Sequence, residues 1–292
     1  MSYLDERADL AGRVAVVVGG GGGIGRACAV DLSRAGMHLA LADRDAAALD
    51  EVAAVIAEAG GEVMTAELDA RDADALSGFF DRADDRFGAR CDVLVNVVGG
   101  TFRAAFTDTR PKGWDALLRA NLFHVLHACS LAIPRMRAGS KGGSIINLTT
   151  IEAHRAAPGY AVYSAAKAAV EQFARTLAVE LAPDGIRVNN VAPDYTPTPA
   201  MTKEAGNESS LSAPAALRVR IPMARAGKVT DVSNCVVFLA SGLSDYITGT
   251  TLHPDGGTLA SSGWFNWPGS GWGTLPAGVV EYLTATSEEI HS

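Results

Sequence analysis

A tyrosine and a lysine four residues apart are the first residues in this sequence that could do chemistry. Tyr163 and Lys167 lie in the run YSAAK, and residues 160–181 are rich in alanine and contain neither proline nor glycine, which predicts a helix. The spacing places both side chains on one helix face. An ammonium beside a phenol favours the phenolate, so we expect Lys167 to lower the pKa of Tyr163. Such a phenol can take or give a proton at an alcohol or carbonyl oxygen, although the same short pattern also occurs on ordinary surface helices.

A run of five glycines indicates where a nucleotide would bind. Residues 19–23 are all glycine; the apolar run VAVVV precedes them, and Ile24 and Gly25 follow. A strand, a glycine-rich turn and a helix start bind the pyrophosphate of a dinucleotide, because glycine allows close backbone approach and the helix N-terminus favours anions. The run satisfies the spacings GxxxGxG, GxxGxxG and GxGxxG at once, so glycine spacing alone cannot identify the subtype.

Acidic and amide residues end the next three predicted strands. Asp43 lies 18 residues after Gly25, where a carboxylate can hydrogen-bond the adenosine ribose and repel a 2′-phosphate. This predicts NAD rather than NADP as cofactor, while Arg44 could soften the repulsion or lie in solvent. Asp69 and Asn96 end the third and fourth strands, so they either line the ligand crevice or only form turns.

The elements that must position these residues alternate between short β-branched runs and longer helical patterns, which predicts parallel strands with helices on both faces of the sheet. The predicted strands are Arg13–Val18, His38–Ala42, Glu62–Leu68, Asp92–Val95, Ser144–Leu148, Ile186–Val191 and Thr250–His253. The predicted helices are Ile24–Ala35, Ala46–Ala59, Asp72–Phe87, Lys112–Arg137, Tyr160–Leu181 and Asp231–Ala240. The predicted fold class is therefore α/β, a Rossmann-type doubly wound parallel sheet of about seven strands in a single domain.

The bulk composition narrows the class of protein. The 292 residues are 48% apolar and 20% charged with a net charge of −8, which argues against nucleic-acid binding. Four scattered cysteines without a CxxC pair, a polar N-terminus and the absence of long apolar runs predict a cytoplasmic protein without a signal peptide or membrane span. His124 and His127 lack a nearby carboxylate or cysteine partner, so we expect no metal site.

The order of these features resembles the short-chain dehydrogenase/reductase family. The likeness covers residues 10–257 and closes with Asp255-Gly256-Gly257. It implies Tyr163 as general acid/base, Lys167 as the residue that lowers its pKa and holds the nicotinamide ribose, Thr150 as the hydroxyl that polarises the substrate oxygen, and Asn121 as the residue that holds a water in the proton relay. The cofactor-binding residues that it implies are Gly19, Gly22, Gly23, Ile24, Gly25, Asp43, Arg44, Asp69, Ala70, Asn96, Val98, Gly99, Tyr163, Lys167, Pro193, Thr196 and Thr198.

The chain departs from the family pattern at several positions. Val18 stands where the family has threonine, Val97 and Val98 replace the second asparagine and the alanine of NNAG, and Asp194 replaces the glycine after Pro193. Thr150, 13 residues before Tyr163, replaces the usual serine but retains a hydroxyl.

The resemblance implies an NAD-dependent oxidoreductase that interconverts a secondary alcohol and a ketone, and NAD use favours oxidation by analogy. One alternative is an NADPH-dependent reductase of 3-oxoacyl thioesters carried by acyl carrier protein or coenzyme A. A non-catalytic nucleotide-binding protein is another alternative, and a sugar-nucleotide epimerase would need a further C-terminal domain.

The substrate pocket is expected to be largely apolar, with Glu152 and His154 either contacting a polar group or facing water. Its candidate residues are Phe102, Ile151, Glu152, His154, Tyr195 and Met201.

Two stretches lie outside the alternation of strands and helices. Residues 198–225 are rich in proline and glycine and are predicted to form a flap over the substrate, within a nucleotide-binding domain of residues 1–257. Residues 258–292 form an extension whose tryptophans could cap the pocket, pack on their own domain or pack on a neighbouring subunit. The family likeness implies a homotetramer or homodimer formed by the two long helices, and a small-molecule substrate.

Overall fold

A parallel sheet of seven strands is the centre of this computed structural model, which describes residues 3–139, 141–199, 213–276 and 278. The strand order is β3-β2-β1-β4-β5-β6-β7, and every neighbouring pair is parallel. The strands are β1 (Val14–Val18), β2 (His38–Asp43), β3 (Val63–Glu67), β4 (Val93–Asn96), β5 (Gly143–Leu148), β6 (Ile186–Val191) and β7 (Thr251–Leu252). The order reverses between β1 and β4, which places a ligand crevice at the carboxyl ends of those strands.

Helices cover both faces of the sheet. They are α1 (Tyr3–Ala8), α2 (Gly23–Arg34), α3 (Ala46–Glu58), α4 (Ala73–Phe87), α5 (Pro111–Leu118), α6 (His124–Ala138), α7 (Ala161–Leu181), α8 (Pro214–Arg220), α9 (Val229–Ala240) and α10 (Thr258–Ser261). Helices α2, α3 and α9 pack on one face, and α4, α6 and α7 pack on the other. Strand β1 shows why both faces are covered, since Val16 and Val18 enter one core while Ala15 and Val17 enter the other.

The predicted fold class is confirmed, and each predicted strand is present within one or two residues of its expected bounds. The segment predicted as one helix over Lys112–Arg137 is different. A π-helical turn, Arg119–Phe123, separates α5 from α6, and it holds Asn121 with its side chain buried.

The stretch Pro111–Ala138 is long and apolar enough to cross a membrane, but buried core helices of soluble proteins have the same length and composition. Within this stretch, α6 packs against the sheet.

The C-terminal extension contains a structure that the sequence did not predict. After α10, strands β8 (Phe265–Trp267) and β9 (Gly271–Gly273) form an antiparallel hairpin, and β8 packs beside α8 of the predicted flap. Trp264 and Trp272 are about half exposed, so neither is packed fully on its own domain. Residues 200–212 of the flap, including Met201, lie outside the described residues.

Candidate active site

The glycine turn after β1 has the geometry of a pyrophosphate cradle. The amides of Gly19 and Gly20 donate to the carbonyl of Ala42, which ties the turn to β2. Gly19 (φ 94°) and Gly23 (φ 51°) have left-handed backbones, and a Cβ on Gly25 would lie 1.8 Å from the Gly19 carbonyl. By contrast, Gly22 has an extended backbone and open space around it. Of the three possible spacings, the structure therefore favours GxxxGxG, because Gly19, Gly23 and Gly25 are the positions at which a side chain would be strained or would clash.

The N-terminus of α2 faces this turn without a side-chain cap. Its first amides lack intrahelical acceptors, and together with the helix dipole they fit an anionic pyrophosphate. Asp43, at the end of β2, is held against the turn because its Oδ2 accepts from the Gly21 amide at 2.9 Å. Its Oδ1 accepts from the Asp45 amide at 3.2 Å, while Arg44 is exposed. The residues present thus fit a dinucleotide with its ribose near a carboxylate.

Asp69 and Ala70 follow β3 at the same edge of the sheet. The Arg71 side chain donates from Nε to both carboxylate oxygens of Asp69 at 2.9 Å, and this pairing holds the pKa of Asp69 below its usual range. The Arg71 amide also donates to Asp69, which is the turn-forming interaction that the sequence left open. Ala70 is buried and offers only its backbone.

The Asn96 side chain is held within the sheet by its neighbour on β5. It is buried, and its Nδ2 donates to Asn147 Oδ1 at 2.9 Å. Asn147 in turn donates to Asn190 at 3.2 Å, and Asn190 donates to Thr251 at 3.3 Å. These residues are register partners on β4, β5, β6 and β7, and we call them the asparagine ladder.

Gly99 is the point at which the predicted catalytic residues meet the cofactor crevice. A Cβ on Gly99 would lie 3.0 Å from Asn121 Oδ1 and 3.3 Å from Lys167 Nζ. Asn121 accepts from the Gly100 amide at 3.2 Å and donates to the Gly100 carbonyl at 2.8 Å, so it fixes this loop. Val98 lies against Gly19 of the glycine turn, since a Cβ on Gly19 would meet its side chain at 2.9 Å.

Lys167 is buried, and its Nζ donates to the Leu148 carbonyl at the end of β5 at 2.8 Å. Burial disfavours the ammonium and lowers the pKa of Lys167 to about 8. One turn before it, Tyr163 is half-buried, and desolvation raises the pKa of its phenol to about 12. The pKa of Tyr163 is thus raised in this structure rather than lowered, and desolvation is the largest cause. The neighbouring Thr150 hydroxyl is the group that lowers it.

Thr150 begins a short 3₁₀ turn (Ile151–Ala153), and its hydroxyl accepts from the Glu152 amide at 3.3 Å. The next amide, that of Ile151, donates to the Pro193 carbonyl at 3.2 Å. This hydrogen bond joins the Thr150 turn to the segment that leaves β6.

The segment after β6 crosses from the substrate side to the glycine turn. Thr196 is buried, and its hydroxyl oxygen has no hydrogen-bond partner among the described residues. Thr198 lies over the turn, since a Cβ on Gly23 would meet its methyl carbon at 3.0 Å. Thr198 is thus placed where a bound cofactor would be enclosed.

The predicted substrate residues divide between exposed and inward-facing side chains. Phe102 is 46% exposed and shares a shallow apolar cleft with Tyr163, as expected of a substrate contact. Tyr195 borders a second cavity, and the Arg220 guanidinium lies 5.5 Å from the centre of its ring. Ile151 is a correction: it is fully buried and cannot line an open pocket.

Glu152 and His154 each contact a charged group of the protein itself, and each remains partly exposed to solvent. The Glu152 carboxylate accepts from Arg155 at 2.8 Å. His154 Nε2 lies 2.9 Å from the buried carboxylate of Glu171, which also accepts from the Thr149 hydroxyl at 2.8 Å. The His154–Glu171 contact therefore ties the end of the turn that carries Thr150 to α7 in the interior.

Sequence reasoning missed a polar cluster around Asp194. The side chain of Asp194 is 10% exposed, and Arg155 Nη2 lies 3.5 Å from its Oδ1. Desolvation raises the pKa of Asp194, while the Thr258 hydroxyl and the cations of Arg155 and Arg220 oppose the shift. The available signal was the departure itself, an aspartate at a position where the family has glycine.

His124 and His127 lie in different surroundings. His124 is fully buried and His127 is exposed, and no group of three potential ligands occurs in the described part of the chain. Neither ring nitrogen of His124 has a hydrogen-bond partner among the described residues, and burial lowers its pKa to about 3.

Comparison with known proteins agrees with this geometry. Residues 19–258 match the family described as enoyl-(acyl carrier protein) reductase. A 3-oxoacyl-[acyl-carrier-protein] reductase from Synechocystis sp. is 36% identical over 252 residues, which are 86% of this chain and 98% of that protein. The crystal structure of carveol dehydrogenase from Mycobacterium avium in complex with NAD is 30% identical with a TM-score of 0.79, covering 87% of this chain and 99% of that one.

A second solved structure is that of a 7α-hydroxysteroid dehydrogenase complexed with NADH and 7-oxo glycochenodeoxycholic acid. It is 28% identical with a TM-score of 0.81, covering 88% of this chain and 98% of that one. The sequence and structural matches extend over most of both partners, so the resemblance drawn from the motifs is confirmed. This chain belongs to the short-chain dehydrogenase/reductase family of oxidoreductases.

Proposed function

We propose that this protein is an NAD-dependent oxidoreductase that interconverts a secondary alcohol and a ketone. The observation that carries the proposal is the convergence of Asn121 and Lys167 on Gly99, one helical turn from Tyr163 and beside the glycine turn. The cofactor, when bound, supplies the hydride acceptor or donor. The chain supplies orientation and the movement of a proton.

Tyr163 is the general acid/base in this proposal. Its phenol takes the alcohol proton during oxidation and returns it to the carbonyl oxygen during reduction. Thr150 holds the substrate oxygen through its hydroxyl, and Lys167, whose Nζ lies beside Gly99, would hold the nicotinamide ribose of the cofactor. Asn121 keeps the Gly99–Gly100 loop in place through its two hydrogen bonds to Gly100.

Cofactor choice rests on Asp43, whose carboxylate is held against the glycine turn. We assign cofactor contacts to the backbone of the glycine turn and α2, to Asp43 and the ends of β3 and β4, and to Tyr163 and Lys167. After β6, the assigned residues are Pro193, Thr196 and Thr198. Arg44 remains a candidate for a secondary contact. A negative charge at the ribose favours NAD over the 2′-phosphate of NADP.

The second candidate is an NADPH-dependent reductase of 3-oxoacyl thioesters. The similarity to the 3-oxoacyl-[acyl-carrier-protein] reductase from Synechocystis favours this second candidate, although the name of that protein specifies no cofactor. A non-catalytic nucleotide-binding protein is disfavoured, because the hydroxyl, phenol, amine and amide expected at the catalytic positions are all retained.

We further propose a homotetramer or homodimer, a cytoplasmic location and a small-molecule substrate without nucleic-acid or membrane partners. We also propose that residues 1–257 form the domain that binds cofactor and substrate, and that residues 258–292 form a C-terminal extension. The exposed Trp264 and Trp272 suit a subunit contact or a partial cover of α8.

A screen of secondary alcohols with NAD and NADP, and of ketones and 3-oxoacyl thioesters with NADH and NADPH, tests the activity through the absorbance of the reduced cofactor. Tyr163→Phe should lower kcat/KM by about 10²–10⁴-fold because it removes the proton donor. Tyr246→Phe, at a fully exposed tyrosine, is the control. Unchanged turnover in Tyr163→Phe would remove the catalytic assignment.

Asp43→Ala tests the cofactor assignment separately. Loss of the carboxylate should weaken NAD binding by about tenfold while leaving NADP binding unchanged or improved, because a ribose hydrogen bond and a 2′-phosphate repulsion disappear together. Calorimetric titration with each cofactor measures both affinities. Asp50→Ala, at an exposed aspartate on α3, controls for lost surface charge. Equal losses for the two cofactors would contradict the ribose contact.

A further inference from the structure

A cavity of about 290 Å³ lies between the end of β6, the segment after α8 and the loop after β7. Its walls include Asp194, Tyr195, Met223, Arg225 and His253, and we call it the Asp194 cavity. It is distinct from the shallow apolar cleft that Phe102 and Tyr163 share. A volume of this size can hold several non-hydrogen atoms of a ligand.

Several polar groups in these walls already have partners. Arg225 Nη1 donates to Asp231 Oδ2 at 2.6 Å, and the Lys228 amide donates to the same oxygen at 2.8 Å. The Asp255 carboxylate accepts from the amides of Gly257 and Leu259, both at 2.8 Å. These groups complete the local backbone structure and leave little capacity for a ligand.

Two other polar atoms in the walls have no such partners. Asp194 Oδ2 and His253 Nε2 are both buried, and neither has a hydrogen-bond partner among the described residues. A buried polar atom without a partner is costly, so such atoms mark positions where a ligand or water completes the hydrogen bonding. Both belong to side chains that line the Asp194 cavity.

Neighbouring contacts fix the orientation of His253. Its ring packs edge-to-face against His154, with ring centroids 4.6 Å apart. His154 is itself held by the buried carboxylate of Glu171 at 2.9 Å. Because α7 carries Glu171 two turns after Tyr163, the wall of the cavity is tied to the catalytic helix.

The Asp194 cavity adjoins the proposed reaction centre. Asp194 directly follows Pro193, whose carbonyl accepts the amide of Ile151 next to Thr150. Arg155 bridges Asp194 and Glu152, at 3.5 Å and 2.8 Å respectively. Glu152 is close enough to Tyr163 for its charge to raise the pKa of that phenol. Contacts from Asp194 through Arg155 and Glu152 thus connect the cavity wall to the surroundings of Tyr163.

The charges around the cavity favour a neutral polar group over an ion. Arg155 lies 3.5 Å from the Asp194 carboxylate and already supplies a counter-charge, so a cationic ligand is not required. Asp194 and Asp231 each lie beside an arginine, Arg155 and Arg225 respectively, so the charges of the walls are already paired and do not require an anion. A hydroxyl group is both a donor and an acceptor, so it matches the acceptor Asp194 Oδ2 and, in the Nε2–H tautomer, the donor His253.

We propose that the Asp194 cavity is a substrate subsite that binds a hydroxyl group remote from the reacting carbon, so that the substrate is a diol or polyol rather than a wholly apolar alcohol. This inference rests on the proposed function for the position of the reacting carbon. It revises the expectation of a largely apolar pocket, because the glycine that the family has at position 194 could not supply the acceptor.

Pairs of alcohols that differ only by a terminal hydroxyl test the subsite: hexan-2-ol with hexane-1,5-diol, and octan-2-ol with octane-1,7-diol. Calorimetry on the full chain with reduced cofactor gives Kd, and cofactor absorbance gives kcat/KM. The wild type should prefer the diol by about tenfold in one pair, since a hydrogen bond to a charged acceptor has this value. Asp194→Gly should bring that ratio to about one, and Asp194→Asn should give an intermediate ratio. Asp245→Asn, at an exposed aspartate, should retain the preference.

The outcomes separate the subsite from the activity. A ratio near one in the wild type for every pair, or a preference that survives Asp194→Gly, overturns the subsite. Tighter binding of 6-aminohexan-2-ol than of hexane-1,5-diol overturns the hydroxyl assignment in favour of a cation. An Asp194-dependent preference in Kd without turnover supports the subsite and removes the proposed function. Turnover without that preference supports the function and removes the subsite.

Discussion

Burial governs the acid–base behaviour of the two residues on α7 that would carry the chemistry. Desolvation raises the pKa of Tyr163 to about 12 and lowers that of Lys167 to about 8, so near neutral pH the phenol is protonated and most of the amine is charged. Two neighbours act on the phenol in opposite directions: the Thr150 hydroxyl lowers its pKa and the Glu152 carboxylate raises it. The threonine that replaces the family's serine therefore retains a tuning role.

Thr150→Val should shift the pH profile of alcohol oxidation to higher pH. Oxidation needs the phenolate, and without the hydroxyl the pKa of Tyr163 rises, so a smaller fraction is deprotonated at any given pH. We expect kcat/KM at neutral pH to fall by about a hundredfold, because a donor to the substrate oxygen is also lost. Profiles of kcat/KM against pH measure both effects.

Thr150→Ser is the matched control for this prediction, since it keeps the hydroxyl and should keep the profile. Glu152→Gln should shift the profile in the other direction, to lower pH, because a negative charge near the phenolate is removed. Identical profiles for Thr150→Val and Thr150→Ser would show that the hydroxyl does not tune Tyr163.

At the scale of elements, the asparagine ladder joins four parallel strands through side chains. Asn147 is central, because it accepts from Asn96 at 2.9 Å and donates to Asn190 at 3.2 Å. All three asparagines are fully or almost fully buried. The ladder crosses the sheet close to the carboxyl ends of the strands, so it also holds the loops that carry Gly99, Thr150 and Pro193.

Asn147→Ala should lower the free energy of unfolding by about 2–4 kcal/mol, because Asn96 Nδ2 and Asn190 Oδ1 lose their hydrogen bonds to Asn147 and a small cavity opens. Chemical denaturation at constant protein concentration measures the change. Asn266→Ala, at an exposed asparagine of β8, should change stability by less than about 0.5 kcal/mol. A loss in Asn147→Ala no larger than in this control would mean that the ladder contributes little.

The local elements were predictable from the sequence for physical reasons. The strands have buried apolar runs, and the glycine turn and the Tyr163–Lys167 pair each lie within one short segment whose geometry follows from spacing. The π-helical turn was missed because the helical pattern of residues 112–137 continues through it without proline or glycine near Asn121. The burial of Asn96 was missed because an asparagine at a strand end looks like a turn residue.

The Asp194 cluster was not predictable from local sequence, because its members come from distant segments. Arg155 follows the Thr150 turn, Asp194 leaves β6 and His253 follows β7, and only the sheet order brings them together. The raised pKa of Tyr163 was likewise not predictable from local sequence. Spacing correctly placed Lys167 one turn away, but the desolvation that dominates the shift depends on the whole fold.

At the scale of the whole molecule, a buried histidine links stability to pH. His124 is fully buried beside the π-helical turn, and desolvation, with the nearby charge of Lys167, lowers its pKa from 6.5 to about 3. Below pH 6.5 the unfolded chain therefore binds a proton at His124 that the folded chain does not bind. This difference makes the free energy of unfolding fall as pH falls from 6.5 toward 3, with a slope of at most about 1.4 kcal/mol per pH unit.

His124→Leu should remove this contribution. Between pH 6.5 and pH 5, His124 should lower the free energy of unfolding of the wild type by about 2 kcal/mol. The corresponding decrease in the variant should be smaller by about 2 kcal/mol. Denaturant unfolding of both proteins at the two pH values measures the difference, and the comparison of slopes is independent of any constant packing change. His127→Leu, at an exposed position on the same helix, is the matched control. Equal acid slopes for His124→Leu and the wild type would show that His124 accepts its proton in the folded state as readily as in the unfolded chain.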